Sequence, residues 1–309
     1  MRNLPLKKII SLCLTLALAL SALTACGADV PSSSGTVVAC TTYPVYLLTQ
    51  AVTDSVPDVD VELVVNQPLS CLHNYTLTMT DMKLIERADV LVINGAGLES
   101  FLADVLDARP YLDATQGLPL LCSEGHHHEE NHDEDEEEFD PHCWLDPTLA
   151  GQMAQNIATG LAAQDPTHKA AYTDNAQHIM TELTALQTEL RGEVAELSCT
   201  ELIPFHDGFR YFAEAFGLTI LASVEEEEGA EASAREIGEL TELIRSHQLP
   251  CVFVEKNGSD SAAQALSLEC GIAVAALDMG MSGAASGGGL DTYEGLLRYN
   301  IETIREAYT

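Results

Sequence analysis

From residue 36 onward, short β-branched runs alternate with longer stretches whose apolar positions recur at three- and four-residue steps. That alternation predicts an α/β protein with mostly parallel sheets. Four strands are expected before the middle of the chain: "TVVACTT" at 36–42, "VDVELVV" at 59–65, "DVLVING" at 89–95 and "LPLLC" at 118–122. Four more follow it: "TELIPF" at 200–205, "LTILASV" at 218–224, "CVFVE" at 251–255 and "IAVAAL" at 272–277.

Helical pattern fills the space between the two sets. Asp146-Pro147 and Asp165-Pro166 each read as an N-cap followed by proline at the first helical position. The second opens a long helix, Pro166 to about Leu197, with an apolar stripe at Tyr172, Ala176, Ile179, Leu183, Leu186, Leu190, Val194 and Leu197. At 1.5 Å per residue it would run about 45–50 Å, enough to cross one lobe and enter another. The expected fold is therefore two lobes with mostly parallel four-stranded sheets joined by one long rigid helix. The lobes would span 36–165 and 198–309, with the connector at 166–197.

The first 25 residues have a different pattern. Arg2, Lys7 and Lys8 precede the apolar run Ile9 to Leu23, which has the length of a signal peptide and is too short to span a bilayer. The "LTAC" that closes it resembles the lipobox of bacterial lipoproteins. That resemblance implies that Cys26 carries the lipid anchor, with 26–35 as a flexible tether to the membrane.

Composition sharpens this picture. The formal charge is -34, and loss of the leader's three cations takes it to -37. Such a surface repels nucleic acid and concentrates cations. Besides Cys26, seven cysteines survive processing, and their spacing matches no CxxC zinc pattern. Two stretches read as loops. Residues 123–141 hold ten Asp or Glu with no Lys or Arg, and 279–291 is glycine-rich.

Open α/β sheets bind ligands beyond the carboxyl ends of their strands. The second expected strand leads to His73, the fourth through the acidic loop to His142, the fifth directly to His206, and the last to Asp278. Three imidazoles and a carboxylate, two from each lobe, suit a tetrahedral zinc site. Glu255 also follows a strand end and is the alternative fourth ligand, or a group that orients an imidazole. His126, His127, His128 and His132 lie in the acidic loop without a predicted scaffold, so they would serve at most as an auxiliary zinc-gathering set.

Several motifs in order resemble one family. "HNYTLTMTDMK", "NGAGLESFL", "DPHCWLDP", "FHDGFRYFAEAFGL", "FVEKNGSD", "ALD" and "LLRYNIETI" are similar to segments of the metal-binding solute-binding proteins of ABC importers for zinc and manganese (cluster A-I), over nearly all of 36–309. The resemblance implies ligation by His73, His142, His206 and Asp278, with the ion held in the cleft between two lobes. Manganese-type relatives tend to carry a carboxylate at the third position. His206 there favours Zn2+, with Mn2+ the alternative cargo. Thr76 and Leu77 depart from the family pattern at non-ligand positions. Cys71 and Cys143 flank two of the ligands, and a 2-1-3-4 strand order would bring Cys199 and Cys251 within reach of a disulfide.

The implied protein is a monomeric, lipid-anchored, extracytoplasmic receptor that hands its metal to an ABC permease and its ATPase. Four protein ligands leave no open position for a substrate water, which argues against an enzyme. A zinc-dependent hydrolase using Glu255 or Asp207 as base, and a surface zinc store or adhesin, are the competing readings.

Overall fold

The structure is a computed structural model that describes residues 35–69, 72, 75–123, 138–224, 233–281 and 292–309. The leader, Cys26 and the tether to residue 34 lie outside the described residues, as do His73, Cys71, the four loop histidines and most of the glycine-rich stretch.

The first sheet contains β1 (Thr36–Cys40), β2 (Val59–Leu63), β3 (Val90–Ile93) and β4 (Leu112–Asp113), all parallel, in the order β2-β1-β3-β4. Strand β3, "VLVI", is buried at every position, as a central strand covered on both faces should be. On the edge, β2 has no fully buried residue. The helices α1 (Tyr43–Val52), α2 (Met79–Arg87) and α3 (Ala103–Leu106) connect these strands.

The fourth strand is not where the sequence predicts it. Residues 118–122 form no ladder in the sheet, and the edge is taken by β4 with Ala114 N and Thr115 N donating to Ile93 O and Asn94 O. Two local features divert "LPLLC": Gly117 takes a φ of +74° and Pro119 has no N–H to donate. The segment instead makes an antiparallel bridge, Cys122 opposite Phe139, with Ser123 N donating to Glu138 O and Asp140 N to Leu121 O. The base of the acidic loop is thus a short clasp.

In the second half, β5 (Glu201–Leu202) pairs with β6 (Thr219–Ile220), and β7 (Cys251–Glu255) with β8 (Ala273–Leu277), both in parallel. A parallel bridge from Pro204 to Phe253 joins the pairs, with Phe205 N to Phe253 O at 2.7 Å and Phe253 N to Ile203 O at 3.1 Å. The strands therefore run β6-β5-β7-β8, the same 2-1-3-4 order as the first sheet. Cys199 and Cys251 nevertheless remain free thiols. The helices here are α6 (Arg210–Phe216), α7 (Ala234–His247), α8 (Ser261–Cys270) and α9 (Tyr293–Ala307).

Between the halves stand α4 (Pro147–Gln164) and α5 (Lys169–Val194). The Asp146 side chain accepts from Thr148 N at 2.6 Å and Leu149 N at 3.4 Å, capping α4 as expected. Asp165 opens a single 3-10 turn, Pro166–His168, before α5 begins. The buried face of α5 is Tyr172, Ala176, Ile179, Leu183, Leu186, Leu190 and Val194, the stripe read from the sequence except for Leu197, which lies beyond the end of the helix. Near one end Asn175 Nδ2 donates to Val52 O at 2.9 Å, behind α1. Near the other, Arg191 donates to Ala215 O at 3.0 Å, on α6. The helix is anchored to both halves, and Thr36–Thr309 pack as one unit. Among the described residues, no helix is long and apolar enough to cross a membrane.

Candidate metal centre

His142 is 7% exposed and sits where the chain leaves the clasp for the 3-10 turn Cys143–Leu145. Its Nδ1 lies 2.8 Å from Asp140 Oδ1, and its backbone N donates to the same oxygen at 3.0 Å. An ionised carboxylate only accepts, so this bond fixes the proton on Nδ1 and leaves the Nε2 lone pair open. A carboxylate behind an imidazole is the arrangement that orients histidine ligands and raises their basicity. Asp140 is itself held: Tyr211 donates its hydroxyl to Asp140 O at 2.9 Å while accepting from Leu121 N at 2.8 Å. On the other side, the His142 ring leans on Trp144, centroid to centroid 5.2 Å. Trp144 is the sole tryptophan and is fully buried.

His206 arrives from β5 through Pro204 and Phe205, and its ring stands edge-on to that of His142 at 5.3 Å. The fold therefore brings two of the expected ligands together from opposite halves. Gly208 makes the approach possible. A Cβ there would lie 2.9 Å from the His142 ring and 2.7 Å from the Met279 methyl. His206 is set differently from His142. Its Nδ1 accepts from Gly208 N–H at 3.0 Å, which places the proton of the neutral ring on Nε2. Ligation through Nε2 requires that proton to move to Nδ1, which gives up the bond from Gly208 N–H.

Asp278 lies at the carboxyl end of β8 and is 2% exposed. Oδ1 accepts from Gly280 N at 2.7 Å, and Oδ2 is 3.2 Å from the Lys256 ammonium. Asn300 on α9 clamps its backbone, accepting from Asp278 N at 2.8 Å and donating to Asp278 O at 2.7 Å. The next residue ties this carboxylate to the histidines: Met279 O accepts from Trp144 Nε1 at 2.8 Å, and the Met279 methyl covers Gly208. Glu255, 3% exposed, ends β7 one rung before Asp278 and accepts from Asn257 N at 3.3 Å. Cys143 is fully buried and burial pushes its thiol far up, which makes it a packing residue rather than a thiolate donor.

His73 lies outside the described residues, and among those described no three His, Cys, Asp or Glu side chains converge closely enough to hold a metal by themselves. The described part supplies an imidazole pair and a neighbouring buried carboxylate. Nitrogen and oxygen donors of this kind fit a borderline divalent cation. Sequence reading missed Asp140, Gly208 and Asn300 as supports. The signals were present: a carboxylate two residues before a histidine, and a glycine two residues after one.

Comparison with known proteins places the chain in a family. The family model described as "Zinc-uptake complex component A periplasmic" (ZnuA) matches residues 38–307. The manganese-binding lipoprotein MntA of Halalkalibacterium halodurans is 26% identical over 243 residues, 75% of this chain and 76% of that protein. The zinc-binding lipoprotein AdcA of Streptococcus pneumoniae is 30% identical over 249 residues. That alignment covers 75% of this chain but 47% of AdcA, so the chain spans about half the length of that relative. A crystal structure of ZnuA superposes with a TM-score of 0.75 at 27% identity, covering 89% of this chain and 100% of that one. Matched from the first strand to the last helix, the chain belongs to the ZnuA family of zinc-uptake periplasmic components.

Proposed function

We propose that this chain captures Zn2+ outside the cytoplasmic membrane and delivers it to an ABC permease, with His73, His142, His206 and Asp278 as the ligands. The family consists of metal-binding components of uptake systems, not enzymes. The observation that carries the metal reading is the pairing at 5.3 Å of the buried His142 imidazole with the half-buried His206 imidazole from the opposite half, the first already locked by Asp140 with its Nε2 open. Imidazole at the third position supports zinc over manganese, because oxygen-rich sets suit manganese. The similarity to the manganese-binding lipoprotein MntA keeps Mn2+ as the alternative cargo. Anchoring through Cys26, a monomeric state and lobe boundaries near 165 and 198 belong to the same reading. The relatives' description as lipoproteins supports the anchor. The acidic loop would gather zinc near the cleft through His126, His127, His128 and His132.

The test is metal analysis and competition titration of the purified mature chain beside His206→Ala. One zinc per chain in the parent, preferred over manganese, with affinity lowered by about 100-fold or more in the variant, is the expected result. Manganese preference, or an unchanged affinity in His206→Ala, would overturn it.

A further inference from the structure

Lys256 follows the last residue of β7 and Asp278 the last residue of β8, and the register that pairs Glu255 with Leu277 sets the two side by side. Lys256 N donates to Leu277 O at 2.8 Å, which fixes this rung, and the ammonium reaches Asp278 Oδ2 at 3.2 Å. The carboxylate is 2% exposed, whereas the lysine side chain is 23% exposed and passes over the Tyr299 ring, 5.2 Å from its centroid. One end of the pair is therefore fixed inside the protein, and the other has a route to solvent.

Both oxygens of Asp278 are committed, Oδ1 to Gly280 N–H and Oδ2 to the ammonium. A divalent cation taken by this carboxylate meets a positive charge already on it. The cation must either share Asp278 with Lys256, at the cost of close repulsion, or turn the ammonium out past Tyr299.

We propose that Lys256 is a built-in competitor for the cargo at Asp278, setting a threshold that a cation must exceed and returning to the carboxylate as the cation leaves. The proposal rests on Asp278 being a ligand. The threshold is the same for every ion, so weakly coordinating cations, which gain little from imidazole, stay below it. Release is assisted because the buried carboxylate is never left uncompensated, a condition that is strongly unfavourable inside a protein.

The experiment measures zinc affinity by competition titration and zinc release after addition of excess chelator. It uses the parent, Lys256→Met, Lys256→Arg, Asp278→Asn and the Asp278→Asn/Lys256→Met double variant. Methionine keeps the stem over Tyr299 without the charge, and Lys256→Gln replaces it should that variant not fold. Close charge pairs couple strongly enough that Lys256→Met should bind zinc tighter and release it slower by on the order of tenfold. Lys256→Arg should stay at or below the parent affinity, and the methionine effect should vanish on the Asp278→Asn background. The thermal midpoint without zinc should fall in Lys256→Met, and added zinc should raise it by more than in the parent. If Asp278→Asn weakens binding but Lys256→Met releases zinc as fast as the parent, the competitor role is refuted and the ligand role stands. If Asp278→Asn binds as tightly as the parent, the ligand assignment fails and the competitor role fails with it.

Discussion

At the scale of single residues, the centre is shaped as much by what is small as by what coordinates. Gly208 has ordinary space on no side, since a methyl there would press on both the His142 ring and Met279. The Met279 methyl ends a flexible side chain and can turn aside, but the His142 ring is tied to Asp140 and cannot retreat easily. Gly208→Ala should cost about 1–3 kcal/mol in a denaturant melt and weaken zinc binding by pushing the two imidazoles apart. A variant with parent affinity would show that the rings need not approach. His142, His206 and Asp278 were legible as candidates because each sits in a short motif at a strand end. Lys256 was not, because nothing local marks a lysine as facing an aspartate 22 positions later. Only the β7–β8 register does so.

At the scale of elements, the buried Glu99 joins two strand ends. It accepts from Thr41 Oγ1 at 2.6 Å beyond β1, and from Asn94 N at 2.7 Å and Gly95 N at 3.0 Å beyond β3. Burial pushes its carboxyl up from 4.5 to about 7, against the pull of those three donors. Between those values the folded chain holds a proton that the unfolded chain has released. The stability this contributes is present below about 4.5 and is lost as pH rises through about 7. Glu99→Gln removes the titration. Its stability relative to the parent should improve by up to about 3 kcal/mol between pH 4.5 and 7.5, whatever its absolute value. Parallel stability curves for the two proteins would contradict this assignment. Elements with strong local periodicity were readable in advance: α5 buries its predicted stripe from Tyr172 to Val194, and Asp146 caps α4, although Asp165-Pro166 opens a 3-10 turn and not α5 itself. The fourth strand was not, because an apolar run such as "LPLLC" satisfies a hydrophobic count while its proline removes a ladder donor.

At the scale of the whole molecule, the two halves meet through polar contacts as well as the shared core. Trp144 donates across the seam to Met279 O, and Tyr293 on α9 donates back to Trp144 O. Trp144→Phe would leave a buried carbonyl without its donor, which should cost about 1–3 kcal/mol of stability. It should also reduce the rise in thermal midpoint caused by zinc, since the carboxylate and the imidazoles would no longer share a rigid link. An unchanged zinc-induced shift, measured by scanning fluorimetry, would place the rigidity in α5 alone. The family was visible in the motif order, the α/β class in the alternation of short β-branched runs with helical pattern, and the long helix in its apolar stripe. The halves' mutual packing was not, because it depends on contacts more than a hundred residues apart. The clasp at Cys122 and Phe139 has a further consequence. Arg210 and Tyr211 pin it from α6, so both feet of the inserted segment stand fixed beside His142. Lengthening a segment whose feet are already nailed down costs only slowly growing closure entropy. This position is therefore a natural port for splicing in reporter tags or foreign peptides while the frame beneath keeps its shape.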